Sequence, residues 1–205
     1  MTLKLAISGD KLVIGKVVSK TSTGYVTVIS GTRRYSLAAS GEIALNKNLL
    51  VVGSTTSEQK GKLAIFNLAD ATPSPRNLAI PIPVREIAIA DKYIVVAEQL
   101  EVTQFNRKNR KIVTLFVNIA DLSITSANGF GEISTYGNKL VRSYSSTDDN
   151  EVTGKIELFN LGTMPPKSLG SRNANILSSF LTNNYLFTVE NQNSRIAVCI
   201  ASSSK

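Results

Sequence analysis

Histidine and tryptophan are missing from this 205-residue chain, and cysteine occurs once. Each absence removes a class of chemistry. Without histidine there is no Ser-His-Asp or Cys-His site, and no imidazole to hold zinc or to act as a general base near neutral pH. The single thiol, Cys199, can form neither an internal disulfide nor a thiolate cluster. No apolar stretch approaches the roughly 18 to 20 residues of a membrane helix. The amino terminus, Met1 to Asp10, lacks the apolar centre and small-residue cleavage site of a signal peptide. An intracellular, cytoplasmic protein is therefore expected, with a mature extracellular domain as the alternative. No catalytic set, metal or cofactor is expected.

What remains is an ordinary globular composition, 42% hydrophobic and 19% charged, with a formal net charge of +8. Helical periodicity is hard to find. Apolar runs of about four to seven residues recur instead, bounded by Gly, Asn, Asp, Ser or Pro, which is the signature of strands and turns. These runs repeat. Five segments align without a gap, namely Lys4–Ile14, Glu42–Val52, Glu86–Val96, Glu132–Arg142 and Ser178–Thr188. Each reads as strand, three-residue turn, strand. The last turn position holds Asp10, Asn48, Lys92, Asn138 and Asn184, where Asp or Asn tolerates a left-handed backbone.

A third strand follows at Tyr25–Ser30, Lys62–Asn67, Glu101–Asn106, Lys155–Asn160 and Arg195–Ile200, three copies ending in Phe-Asn. A short fourth strand is expected near Tyr35–Leu37, Asn77–Ile80, Ile112–Phe116 and Lys167–Leu169. Four antiparallel strands repeating about every 40 to 46 residues is the period of a β-propeller blade. The expected fold is therefore an all-β propeller. It forms one domain of five four-stranded blades, at about 3–41, 42–85, 86–130, 131–175 and 176–205. The last blade is incomplete, because only Ala201–Lys205 follow its third strand. Either the ring closes on a three-stranded blade, or the array is open and its edge can pair with a strand of a partner.

The turns Gly9-Asp10 and Gly137-Asn138 and the strands Leu63–Asn67 and Ile156–Asn160 resemble the LVIVD-repeat propellers. Asn67, Asn106 and Asn160 replace that family's trailing Asp. WD40-like propellers share the period, although no Trp-Asp pair is present. The resemblance implies a scaffold for interactions and brings no catalytic residues with it.

Propeller topology sorts the charges. The turns joining strands one to two and three to four share one face. Lys11, Arg33, Arg34, Lys47, Arg76, Lys92, Arg107, Lys108, Arg110, Lys111, Lys139 and Lys167 fall on it, against Asp10, Asp70 and Asp91. The opposite face receives acidic residues, among them Glu42, Glu58, Glu98, Asp121 and Glu190. A one-sided basic surface concentrates acidic partners. The expected binding residues are Arg33, Arg34, Arg76, Arg107, Lys108, Arg110, Lys111 and Lys167. An acidic protein partner is favoured. Nucleic acid or an anionic membrane surface would also suit the charge, although no aromatics interleave with the basic residues to stack bases.

Glu42, Glu86 and Glu132 hold one repeat position at the expected channel mouth. Two carboxyl groups about 5 to 9.5 Å apart can hydrolyse a glycoside, so a carbohydrate-binding or glycoside-hydrolysing propeller is the rival. Against it, catalytic carboxyls need unlike surroundings to separate their pKa values, and equivalent repeat positions do not favour this. Thr147–Glu151 has neither the spacing nor the glycine of a calcium loop. Cys199 lies in an apolar strand and reads as a buried structural thiol.

Overall fold

The structure is a computed structural model that describes residues 2–17, 24–98, 113–129, 131–148, 151–192 and 195–202. It is all-β. Its contacts divide the chain into two compact units, Met1–Ile87 and Ala88–Lys205.

The first unit holds two four-stranded sheets. One consists of β1 (Thr2–Ser8), β2 (Lys11–Val17), β3 (Tyr25–Ser30) and β4 (Arg33–Ala38), in that order. The other consists of β5 (Glu42–Asn46), β6 (Leu49–Thr55), β7 (Gly61–Asn67) and β8 (Arg76–Ile80). Alternation sets the core, since successive side chains leave a strand on opposite faces. Val13, Val26, Val28 and Leu37 of the first sheet meet Leu50, Val52 and Phe66 of the second, with Ala6, Ile43 and Leu45 packed around them. Burying each such aliphatic side chain contributes about 1.5 to 3 kcal/mol. Within the second sheet, the chain entering β5 approaches β6 closely because glycine permits it. A Cβ on Gly41, whose φ is +140°, would lie 1.9 Å from the carbonyl oxygen of Gly53.

A third sheet starts at the boundary, with β9 (Glu86–Ile89), β10 (Tyr93–Ala97), β11 (Val113–Asn118) and β12 (Ile124–Asn128) in that order. The second unit continues with β13 (Glu132–Tyr136), β14 (Lys139–Asp148), β15 (Glu151–Asn160) and β16 (Lys167–Asn173). Its last sheet, among the described residues, has three strands, β17 (Ile176–Leu181), β18 (Tyr185–Gln192) and β19 (Arg195–Ser202). Val95, Ala97 and Phe116 pack on Ile133, Leu140 and Leu161, and Val141 and Ile156 pack on Ile176 and Leu181.

Two expectations are corrected here. The first concerns the third repeat. β10 has β9 on one side and β11 on the other, with Val95 opposite Phe116. The stretch taken as the fourth strand therefore lies within the third. Glu101–Asn106, expected in that place, lies outside the described residues. The true fourth strand, β12, is almost wholly exposed, so it carries little apolar signal. In contrast, Thr114–Val117 are buried without a break, as an inner strand covered on both faces should be.

The second correction concerns the turns. Ser8 pairs with Lys11, Asn46 with Leu49 and Tyr136 with Lys139, so these loops have two residues. Positive φ falls on the first of them, at Gly9, Lys47 and Gly137, and not on the Asp or Asn that follows.

The structure also explains the repeated asparagine. Asn67, Asn118 and Asn160 each end a third strand, and each side-chain oxygen accepts the backbone N–H two residues on, at Ala69, Ala120 and Gly162. This is an Asx turn, which starts the next reversal. Leu68, Ile119 and Leu161 then donate their backbone N–H to Asn48, Lys92 and Asn138, tying the two turns of each sheet together. Asn118, not Asn106, is the third member of the series.

Candidate functional site

In the first unit the turn ends of both sheets are joined, because the backbone N–H of Lys47 donates to the hydroxyl of Ser8 at 2.8 Å. Arg33 and Arg34 open β4 and Arg76 opens β8, so all three lie at this end, and all are exposed. None of the three, nor Lys47, forms an ion pair among the described residues. Arg33 stacks its guanidinium 5.8 Å from the ring centre of Tyr35. Lys11 is spoken for. Its ammonium donates to Asp10 at 2.8 Å, and that bond, followed by one from the Ser30 hydroxyl, holds the Asp10 carboxyl below its usual range. Asp70, the other acid here, accepts from the Asn67 amide at 2.8 Å. Four uncompensated cations therefore share one end of this unit.

At the other end of the unit, acids and bases balance more closely. Glu58 pairs with Lys60 at 3.0 Å, and Glu42, where β5 begins, pairs with Lys4 at 2.8 Å. Arg85, in the connection from β8 to β9, lies at this end too and was absent from the sequence-based tally.

In the second unit the backbone N–H of Asp91 donates to Gly137 at 2.9 Å, which joins the first turns of two neighbouring sheets. Lys92 and Lys167 are exposed near these turns. So is Asp121, which lies in the β11–β12 turn rather than on the opposite side. Hydrogen bonds from Ser123 lower its pKa. Arg107, Lys108, Arg110 and Lys111 lie outside the described residues.

The three glutamates differ. Glu42 is neutralised by Lys4. Glu86 begins β9 and is half-buried. Glu132 begins β13, where burial raises its pKa.

Sequence reasoning missed two buried polar groups. Arg142 occupies a β14 position that holds Val52 and Val96 in other copies. Its guanidinium contacts Glu157 at 2.6 and 3.1 Å and the carbonyl of Asn128 at 2.8 Å, and lies 5.1 Å from the Phe159 ring. Burial disfavours the Glu157 carboxylate, but Lys155 and Arg142 outweigh it and hold its pKa below the ordinary value. In the last sheet, buried Glu190 accepts from Arg172 and from Thr188. Arg172 and Thr188 line a 370 Å³ cleft between the last two sheets, together with Ile156, Leu158, Leu186 and Cys199. Cys199 is half-buried there. Among the described residues no group of three or more acidic or cysteine side chains is placed to hold a metal ion.

Repeated four-stranded antiparallel sheets of this kind define a β-propeller-like fold, and comparison with solved structures agrees. An acylaminoacyl peptidase from Pyrococcus horikoshii matches with a TM-score of 0.58 at 8% identity, over 97% of this chain and 44% of the peptidase. A structure from a study of two prolyl endopeptidases matches with a TM-score of 0.59 at 12% identity, over 98% of this chain and 33% of the other. The β-propeller domain of the trilobed protease from Pyrococcus furiosus, described as having an open velcro topology, matches at 0.57 and 6% identity, over 98% and 83%. This chain spans less than half of the first two. No family model and no curated protein matches the sequence. Likeness at such low identity establishes fold and leaves function to the side chains.

Proposed function

We propose that this chain is a non-enzymatic propeller scaffold of five blades, the last incomplete, that binds an acidic protein partner. The first contact is made by Arg33, Arg34 and Arg76, with Lys47 beside them. One observation carries this reading: four exposed cations without ion pairs share the joined turn ends of the first unit. Clustered charge without local compensation speeds encounter with an oppositely charged partner and gives binding that weakens with salt. Arg107, Lys108, Arg110, Lys111 and Lys167 add further positive charge. The propeller neighbours are peptidases, but a serine or cysteine peptidase of the His-relay type needs a histidine, and this chain has none.

Fluorescence anisotropy with labelled poly-glutamate tests the proposal. Arg33→Glu/Arg34→Glu/Arg76→Glu should weaken binding at least about tenfold, since charge pairs at an interface contribute on this scale. Unchanged affinity, or no binding by the parent protein, overturns it. Tighter binding to duplex DNA or to anionic vesicles than to poly-glutamate would reassign the partner class.

A further inference from the structure

Two sheet faces are apolar where water would call for polar residues. In the first sheet, Ala6, Val26 and Val28 point into the core of the first unit, so Leu3, Leu5 and Ile7 leave β1 on the other side. Leu5 is 66% exposed and Ile7 73%. Their cross-strand neighbours Ile14 and Leu12 extend the same face. In the last sheet, Ile196, Val198 and Ile200 of β19 are 74%, 66% and 61% exposed. Phe180, Phe187 and Ile200 form one row across that sheet, the two rings stacked at 4.9 Å.

The repeat says what such faces are for. Leu5 and Ile7 are the counterparts of Ile43 and Leu45, which the preceding sheet covers in the first unit. Ile196 and Val198 are the counterparts of Val26 and Val28, which the following sheet buries completely. The first sheet thus presents a face made to receive a preceding sheet. The last sheet presents a face made to cover a following one.

We propose that copies of this chain associate head to tail, the β17–β19 face of one packing on the β1–β2 face of the next. The contact repeats the one between β1–β4 and β5–β8 inside a single copy. Pairing of two first-sheet faces is disfavoured, because Arg34 lies opposite Ile29 on that face and would meet its own copy. The last-sheet face, built of Phe180, Phe187, Val198 and Ile200, bears no charge to oppose it. Leu3, Leu5 and Ile7 on one face, and Ile196, Val198 and Ile200 on the other, are each 59–74% exposed, and contiguous apolar patches of this kind mark interaction surfaces. A heterologous contact of this kind gives short chains or rings that grow with concentration. It meets the cationic turn end only at Arg34, and because its contacts are apolar it does not weaken with salt as that site does.

Sedimentation velocity of the whole chain tests this, with Leu5→Asp and Val198→Asp, each checked for parental circular dichroism and Tm. If either fails to fold, Ile7→Ser or Ile200→Ser takes its place. The parent should show a sedimentation coefficient that rises with concentration and does not change with added salt. Each variant alone should lose that rise. Mixed one to one, the two variants should form a species of twice the 22.1 kDa chain mass and nothing larger, because only one intact contact remains. A parent that stays monomeric, a variant that still associates alone, or a mixture that does not pair overturns the proposal.

Discussion

Removing Glu157 exposes what holds the second unit together. Arg142 is a charged residue in a strand position that other copies fill with valine, and its side chain is only 10% exposed. Three partners offset its burial: Glu157, the Asn128 carbonyl and the Phe159 ring. Glu157→Leu leaves the guanidinium without its counter-charge, and breaking a buried pair from one side costs about 3 to 5 kcal/mol. For a chain of this length, about 3 kcal/mol corresponds to a fall in Tm of roughly 10 °C. Arg142→Leu/Glu157→Leu replaces both charges with apolar groups and should lose much less than the two single changes added together. A coupling energy of about 1.5 kcal/mol or more is expected from urea denaturation of all four proteins. Coupling below about 0.5 kcal/mol would refute the reasoning. The pH dependence supplies a second reading of the same pair. The folded pKa of Glu157 lies below its ordinary value of 4.5, so its contribution is complete above pH 4.5 and is lost as pH falls through the depressed value. The stability gap between the parent and Glu157→Gln should therefore close below pH 4.5.

Glu132 should behave with the opposite sign. Its folded pKa is raised above 4.5, so Glu132→Gln should be more stable than the parent at pH 7, with the gap closing as pH falls toward 4.5. A less stable Gln variant at neutral pH would contradict this. Gly41→Ala should cost about 3 kcal/mol or more, because its Cβ would collide with the Gly53 carbonyl. Gly9→Ala, strained in φ but open to solvent, should cost only about 1 to 2 kcal/mol. Equal denaturation midpoints for the two would show that the close approach is unimportant.

Much of the architecture was legible because the inner strands repeat nearly residue for residue. Leu5, Ile43, Ile87 and Ile133 recur at one position, and the structure places all four in first strands of their sheets. What failed was the third repeat, and the failure has a physical cause. A propeller's outer strand needs no apolar residues, so Ile-Thr-Ser-Ala-Asn at β12 is silent as a pattern, while Glu101–Asn106 imitates the third-strand motif. The buried run Thr114–Val117 carried the correcting signal, since an edge strand has no reason to be apolar on both faces. The polar networks of Arg142 and Arg172 were illegible for another reason: their partners Glu157 and Glu190 lie 15 and 18 residues away and meet them only through strand pairing.

The scaffold reading rests on where the positive charge acts, so it is tested by two sets of charge reversals in one salt titration against poly-glutamate. One protein carries Arg33→Glu/Arg34→Glu/Arg76→Glu and the other Arg107→Glu/Lys108→Glu/Arg110→Glu/Lys111→Glu. The account predicts that the first set abolishes both the binding and its dependence on salt, and that the second leaves binding at the turn end in place. Loss of binding in the second protein alone, with the first unchanged, would contradict it.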